Sequence, residues 1–181
     1  CATLCNEELL KKSKSHPIAI LKALKTYNQG HGDKGSLQWT PINTITQALE
    51  DAFYLSFNEI EPTNKNTGLF LDVSSSMAIG RIENLNLTPR EASACMAMVT
   101  ARTEPNYQFY GFCNVLIPLK IGSTQRLDDI IYNISGLNFG RTDCSLPFTW
   151  ALAHKVPIEH FVVYTDNETN HPTSLHPSVA L

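Results

Sequence analysis

Five oxygen-bearing side chains stand where their types and spacing could do chemistry. Asp72-Val73-Ser74-Ser75-Ser76 follows a short apolar run. Residues 72, 74 and 76 alternate, so an extended loop aims their oxygens at one point. Thr142 follows a Gly140-Arg141 turn, and Asp166 closes a second apolar run, His160-Phe161-Val162-Val163-Tyr164-Thr165. Asp72, Ser74, Ser76, Thr142 and Asp166 offer oxygen and neither nitrogen nor sulfur. Such a donor set selects a hard divalent cation, Mg²⁺ first, with Mn²⁺ or Ca²⁺ as alternatives, over zinc or copper. With only two carboxylates the ion keeps net positive charge, retains water and leaves room for an outside ligand. A carboxylate from a partner protein is the natural one.

Other chemistry at these residues fits less well. A Ser-rich turn with Asp72 capping the next segment accounts for the first three residues, but not for Thr142 and Asp166. Asp72 as a phosphoryl-accepting nucleophile needs a second carboxylate two residues on as acid and base, and Ser74 stands there. There is no Gly-x-Ser-x-Gly elbow to activate Ser75. His171 and His176 lie among Pro and Ser residues without a third ligand, as solvated loop histidines do. Gly30-His31-Gly32 lacks the Lys-Ser/Thr ending of a phosphate-binding loop and reads as a flexible turn. We read the protein as not an enzyme.

The positioning elements follow from the pattern. Gly68 to Leu71 is a short apolar strand. Thr88-Pro89-Arg90-Glu91 carries a cap, a first-turn proline and a capping-box glutamate, so it opens a helix that continues through Ala92, Cys95, Met96 and Val99. Tyr107 to Phe112 and Val115 to Leu119 read as two strands close enough for a hairpin. Leu127 to Ile134 and Ser145 to Ala153 read as helices, and His160 to Thr165 as a buried strand. Strands alternating with helices predict α/β architecture with a mainly parallel sheet. In such sheets ligands bind beyond the carboxyl ends of the strands, where Asp72 and Asp166 fall. Residues 1–60 read differently, as helices. Pro17 opens one that carries Ile18, Leu21, Leu24 and Tyr27. Thr44 with Gln47 suggests a capping box for another, with Ile45, Ala48, Leu49, Ala52 and Phe53 on one face. The polar stretch 61–66, with Pro62, reads as a linker.

Composition limits the class. The 181 residues are 43% hydrophobic, as in an ordinary globular chain. No apolar run approaches the ~20 residues a membrane span needs, and no signal peptide precedes the first helix. Five scattered cysteines without a Cys-x-x-Cys pair fit reduced thiols inside a cell. The Asn-x-Ser/Thr triplets at Asn86, Asn133 and Asn167 are then chance. The first 34 residues hold six lysines against three carboxylates, whereas residues 67–181 hold seven Lys and Arg against ten Asp and Glu. A mildly basic helical end and an acidic metal-binding end place any nucleic-acid contact in the helices, although a Lys-rich face is usually only solvated.

The five-residue constellation resembles the metal-ion-dependent adhesion site of von Willebrand factor type A domains. That resemblance implies that Ser74, Ser76 and Thr142 touch the metal, with Asp72 and Asp166 acting through bound water. A narrower resemblance covers nearly the whole chain. Leu24-Lys25-Thr26-Tyr27, Gly30-His31-Gly32, Trp39-Thr40-Pro41, Asp72-Val73-Ser74-Ser75-Ser76-Met77, Thr142-Asp143-Cys144-Ser145-Leu146-Pro147 and Thr165-Asp166-Asn167-Glu168-Thr169 are similar, in order, to blocks of the SS-A/Ro ribonucleoprotein family. That family joins a ring of helical repeats, the TROVE module, to a type A domain.

The resemblance implies an α/β, Rossmann-like type A domain over 67–181, truncated at its C-terminus, preceded by the last helices of the ring over 1–60. Two further strand–helix units are expected past Leu181, and without them the final strand keeps an open edge and the fragment should be poorly soluble alone. It implies RNA partners for the full-length ring, namely Y RNA and misfolded small noncoding RNAs, in the cytoplasm and also the nucleus, with no membrane role. RNA binding rests on the resemblance and not on charge. The competing reading is a metal-dependent protein–protein adhesion module without an RNA role.

Overall fold

A computed structural model describes residues 3–83, 85–137, 140–167, 169–170 and 175–180. The chain divides into two compact units, residues 1–61 with 81–87, and residues 62–80 with 88–181. Residues 81–87 therefore group with the helices, although they lie within the segment assigned to the type A domain from sequence.

The first unit contains α1 (Glu7–Ser13), α2 (Pro17–Asn28) and α3 (Asn43–Leu55), followed by a 3-10 turn at Ser56–Glu59. The α2–α3 pair buries Ile20, Leu21 and Leu24 from one helix and Ala48, Ala52 and Phe53 from the other. The capping box expected at Thr44 is absent. The helix starts one residue earlier, its cap position is Ile42, and no side chain caps it there. The Ile42 amide donates instead to the Tyr27 hydroxyl at 3.0 Å, so a partner 15 residues away supplies what the local cap does not. Trp39 stacks on Tyr27 and donates its indole N–H to the Tyr27 carbonyl at 2.7 Å.

The glycine-rich loop is also more ordered than a flexible turn. Trp39 N–H donates to the Gly30 carbonyl at 2.8 Å, and His31 bridges Gln38. Gly30 needs to be glycine: its φ is +77°, and a Cβ would lie 2.9 Å from the Trp39 carbonyl. Residues 81–87 close on themselves through Ile82 N–H to the Leu87 carbonyl, and Asn86 donates to the Gln29 side chain at 2.6 Å.

The second unit is α/β, as expected. Its strands are β1 (Thr67–Asp72), β2 (Tyr107–Phe112), β3 (Leu116–Leu119) and β4 (His160–Tyr164), in the spatial order β3-β2-β1-β4. β1 runs parallel to both β2 and β4, and β3 pairs antiparallel with β2. β1 is buried along its whole length, because it has neighbours on both sides and layers on both faces. On one face Phe70 stacks between Tyr110 and Phe161, and Phe112, Cys144, Leu146 and Trp150 complete the cluster. Leu69 and Leu71 point the other way, toward α4 (Pro89–Thr103). Ala94, Cys95, Ala97, Met98 and Ala101 of α4 are buried there, and the three alanines let the helix lie close to the sheet. α5 (Leu127–Ser135) packs on α4 through Ile130 and Ile134; α6 (Leu146–His154) covers the aromatic face, and α7 (Pro177–Ala180) follows.

Thr88 caps α4 with both halves of the capping box: its hydroxyl accepts from the Glu91 amide, and Glu91 accepts from the Thr88 amide. The stretch read as a linker is tied to this unit. The Thr63 and Asn64 amides donate to the Glu104 carboxylate at 2.8 and 3.1 Å, and the Asn66 side chain donates to the Pro157 carbonyl. The chain leaves β1 for β2 on one side and later returns to β4 on the other. The crevice such a reversal creates lies beyond the carboxyl ends of β1 and β4.

Candidate metal centre

Asp72 is the last residue of β1 and is fully buried. Its Oδ1 accepts the Ser74 amide at 2.9 Å, the local turn that a bland reading of the loop foresees. Its Oδ2 does something a local turn does not require, accepting the Thr165 hydroxyl at 2.9 Å from the end of β4. Burial pushes the Asp72 carboxyl up from the ordinary carboxylate range. The bonds from Ser74 and Thr165 offset that only in part, and the nearby charge of Asp166 pushes the same way as burial.

Ser74 is buried and its hydroxyl lies 3.0 Å from that of Ser76, which lies in a 3-10 turn over Ser75–Ala78. Thr142 is 2% exposed. Its backbone is clamped by the loop after β4: its amide donates to Asn170 Oδ1 at 2.9 Å, and its carbonyl accepts the Asn170 amide at 3.0 Å. Asp166 is half-buried, next to Thr165. Two further links lace the loops together. The Asp143 amide donates to the Cys113 carbonyl at the end of β2, and Cys144 Sγ lies 3.7 Å from the Thr165 hydroxyl.

The structure therefore puts Asp72, Ser74 and Ser76 on one loop. It brings the Asp166 charge to bear on Asp72 and ties the Thr142 loop to the segment that carries Asp166. The donor set fits a hard cation: a buried carboxylate with unused lone pairs, two hydroxyls side by side and a buried threonine, all oxygen. The described residues contain no cluster of three or more His, Cys, Asp or Glu. His176 is exposed and bonded to Ser178, while His171 and Glu168 lie outside the described residues.

Sequence reasoning missed Thr165, which orients Asp72, and Arg90, whose guanidinium donates to the carbonyls of Val73 and Ser74. Thr165 had a signal in its position beside Asp166 at a strand end. Arg90 had none, because a helix-start motif explains its neighbours completely.

Comparison with known proteins agrees with the α/β fold. The model of the Ro60 vWA domain family matches residues 67–181. The RNA-binding protein RO60 of Deinococcus radiodurans is 39% identical over 179 residues, covering 98% of this chain and 34% of that protein. The RNA-binding protein RO60 of Caenorhabditis elegans is 39% identical over 178 residues, covering 98% of this chain and 27% of that one. The crystal structure of the Deinococcus radiodurans RO (RSR) protein superposes with a TM-score of 0.89 at 39% identity, over 98% of this chain and 36% of that one. The chain spans about a third of the length of the relatives it matches. With a β1 that ends in a buried Asp72 beside paired serines, a mostly parallel sheet around it and a family match over the whole α/β unit, the chain belongs to the Ro60 vWA domain family.

Proposed function

We propose that this chain is part of a non-enzymatic, RNA-binding ribonucleoprotein component, with its α/β unit holding Mg²⁺ at Asp72, Ser74, Ser76, Thr142 and Asp166. The observation that carries the metal reading is Asp72: a fully buried carboxylate that accepts from the Ser74 amide and the Thr165 hydroxyl, with Asp166 adding like charge and Arg90 the opposite charge nearby. Two carboxylates, one of them fully buried, outweigh the single Arg90 charge spent on the loop carbonyls, and a hard cation supplies the balance. Ser74, Ser76 and Thr142 would hold the ion through their hydroxyls, and Asp72 and Asp166 would balance its charge. When bound, the ion offers an open position to a carboxylate of a partner protein.

The RNA reading is supported by the two relatives named RNA-binding protein RO60, each 39% identical across nearly the whole chain. We place the RNA contact in the helical part of the full-length protein, with Y RNA and misfolded small noncoding RNA as ligands and small-RNA quality control as the role, in cytoplasm and nucleus. The test uses the full-length protein. Asp72→Ala should abolish Mg²⁺ binding in calorimetry and leave Y RNA affinity in filter binding nearly unchanged. RNA affinity should fall steeply with salt, as phosphate neutralisation requires. A large loss of RNA affinity by a folded Asp72→Ala protein would refute the division of labour, and no RNA binding at low salt would refute the RNA role.

A further inference from the structure

Arg90 occupies a position that helix stability alone does not favour. It is the second residue of α4, at the positive end of the helix dipole, where acidic residues such as Glu91 belong and a cation is unfavourable. Its side chain is partly buried, and its Nε is buried without a hydrogen-bond partner among the described residues. Both features cost stability.

The rest of the guanidinium is engaged. Nη2 donates to the Ser74 carbonyl at 2.9 Å and to the Val73 carbonyl at 3.3 Å, and Nη1 donates to the hydroxyl of Ser135, the last residue of α5, at 3.3 Å. The amides of the same two residues are also held, Val73 by the Phe112 carbonyl at 3.1 Å and Ser74 by Asp72 Oδ1 at 2.9 Å. All four backbone polar groups of Val73 and Ser74 are thereby pinned, two from the end of β1 and β2 and two from Arg90. One nitrogen spans the two adjacent carbonyls while the other ties the same rigid plane to Ser135, so the guanidinium resists rotation of the peptide between them more than an ammonium without the second anchor does.

We infer that Arg90 is a positioning residue of the metal loop: it holds the Val73 and Ser74 carbonyls so that the Ser74 and Ser76 hydroxyls stay side by side, as a hard cation requires. The inference rests on the metal reading of Asp72, Ser74 and Ser76 proposed above. Oxygen donors bind a small cation tightly only when their positions are set before it arrives, so a group that fixes the backbone beneath two of them acts on affinity without touching the ion.

Mn²⁺ is the probe, because its free form is counted directly by electron paramagnetic resonance. The full-length protein is titrated as wild type, Arg90→Met and Arg90→Lys, well below the melting temperature of each metal-free form, with Mg²⁺ as competitor. Arg90→Met should bind Mn²⁺ about tenfold more weakly or worse, in the range that outer-shell partners command. Arg90→Lys, with one donor group and no second anchor on Ser135, should recover only part of the loss. A purely structural role would lower the metal-free melting temperature of the variants and leave the dissociation constant unmoved. A wild-type chain that binds no Mn²⁺ sinks the metal reading and this inference with it. A wild-type chain that binds, beside an Arg90→Met chain that binds as tightly or more tightly, sinks the positioning role alone. Should Arg90→Met not fold, Arg90→Lys decides the matter, and wild-type affinity there overturns the inference.

Discussion

Replacing Asp72 by Asn changes one atom type at the centre of the proposed site, and the structure states what should follow. The Asn carbonyl oxygen can take over the bond from the Ser74 amide. The Asn amide can donate to the Thr165 hydroxyl, which donates to Asp72 Oδ2 in the wild type and can rotate to accept. Both native contacts therefore survive in neutral form. Because burial outweighs the two bonds and raises the Asp72 carboxyl, the metal-free fold disfavours the charge. Removing that charge should leave the metal-free chain at least as stable as the wild type at pH 7. The metal contribution should vanish. A cation present at a hundred times its dissociation constant stabilises the wild type by about 2.7 kcal/mol. For a chain of this length that is roughly 5 to 11 °C in melting temperature. Asp72→Ala differs in a way that checks the geometry: it orphans the Ser74 N–H and the Thr165 O–H, at about 1–3 kcal/mol each, and destabilises the metal-free chain. Calorimetric melts of the three proteins, with Mg²⁺ and with chelator, read all of these effects. An Asp72→Asn chain less stable than the wild type by more than about 1 kcal/mol without metal, or one that keeps the Mg²⁺ shift, would refute the reasoning.

Three further outcomes are expected. Because the folded Asp72 carboxyl titrates above its unfolded value, its protonated form is favoured by folding; its contribution to metal-free stability is present at low pH and is lost as pH rises from the unfolded carboxylate range through the raised value. Melts of wild type against Asp72→Asn should diverge over that window, and Mg²⁺ affinity should weaken as pH falls through it. Thr88→Ala removes one half of the α4 capping box and should cost about 1 kcal/mol in urea unfolding, with Mg²⁺ affinity little changed. Gly111→Ala puts a Cβ 3.1 Å from Val73 Cγ1 and 3.3 Å from Leu119, directly beneath the metal loop. We expect a loss of about 1–3 kcal/mol from overpacking, together with weaker Mn²⁺ binding, which Gly122→Ala, in open space, should not show.

Much of the α/β unit was legible in the sequence because its elements are locally consistent. The strand at Thr67–Asp72 is short and apolar, Thr88-Pro89-x-Glu91 is a helix start that needs no distant partner, and β2 and β3 are close enough in sequence to form a hairpin. The five oxygen-bearing residues could be named for the same reason, since each stands at the end of an apolar run or in a turn. Where distant groups replace local ones, the reading failed. At the start of α3 the Ile42 amide is held by Tyr27, and the Gly30 loop is closed by Trp39.

By itself the sequence determined the kinds of donor available, the order of strands and helices, and the membership in this family. Tertiary structure alone decided that β4 returns to the side of β1 opposite β2, so that Thr165 reaches Asp72 from 93 residues away. It also decided that Arg90 reaches the carbonyls of Val73 and Ser74 and that residues 81–87 join the helical unit. The reason is physical. Propensity and periodicity are properties of neighbouring residues, whereas a hydrogen bond between chain-distant groups exists only after the sheet has closed and packed.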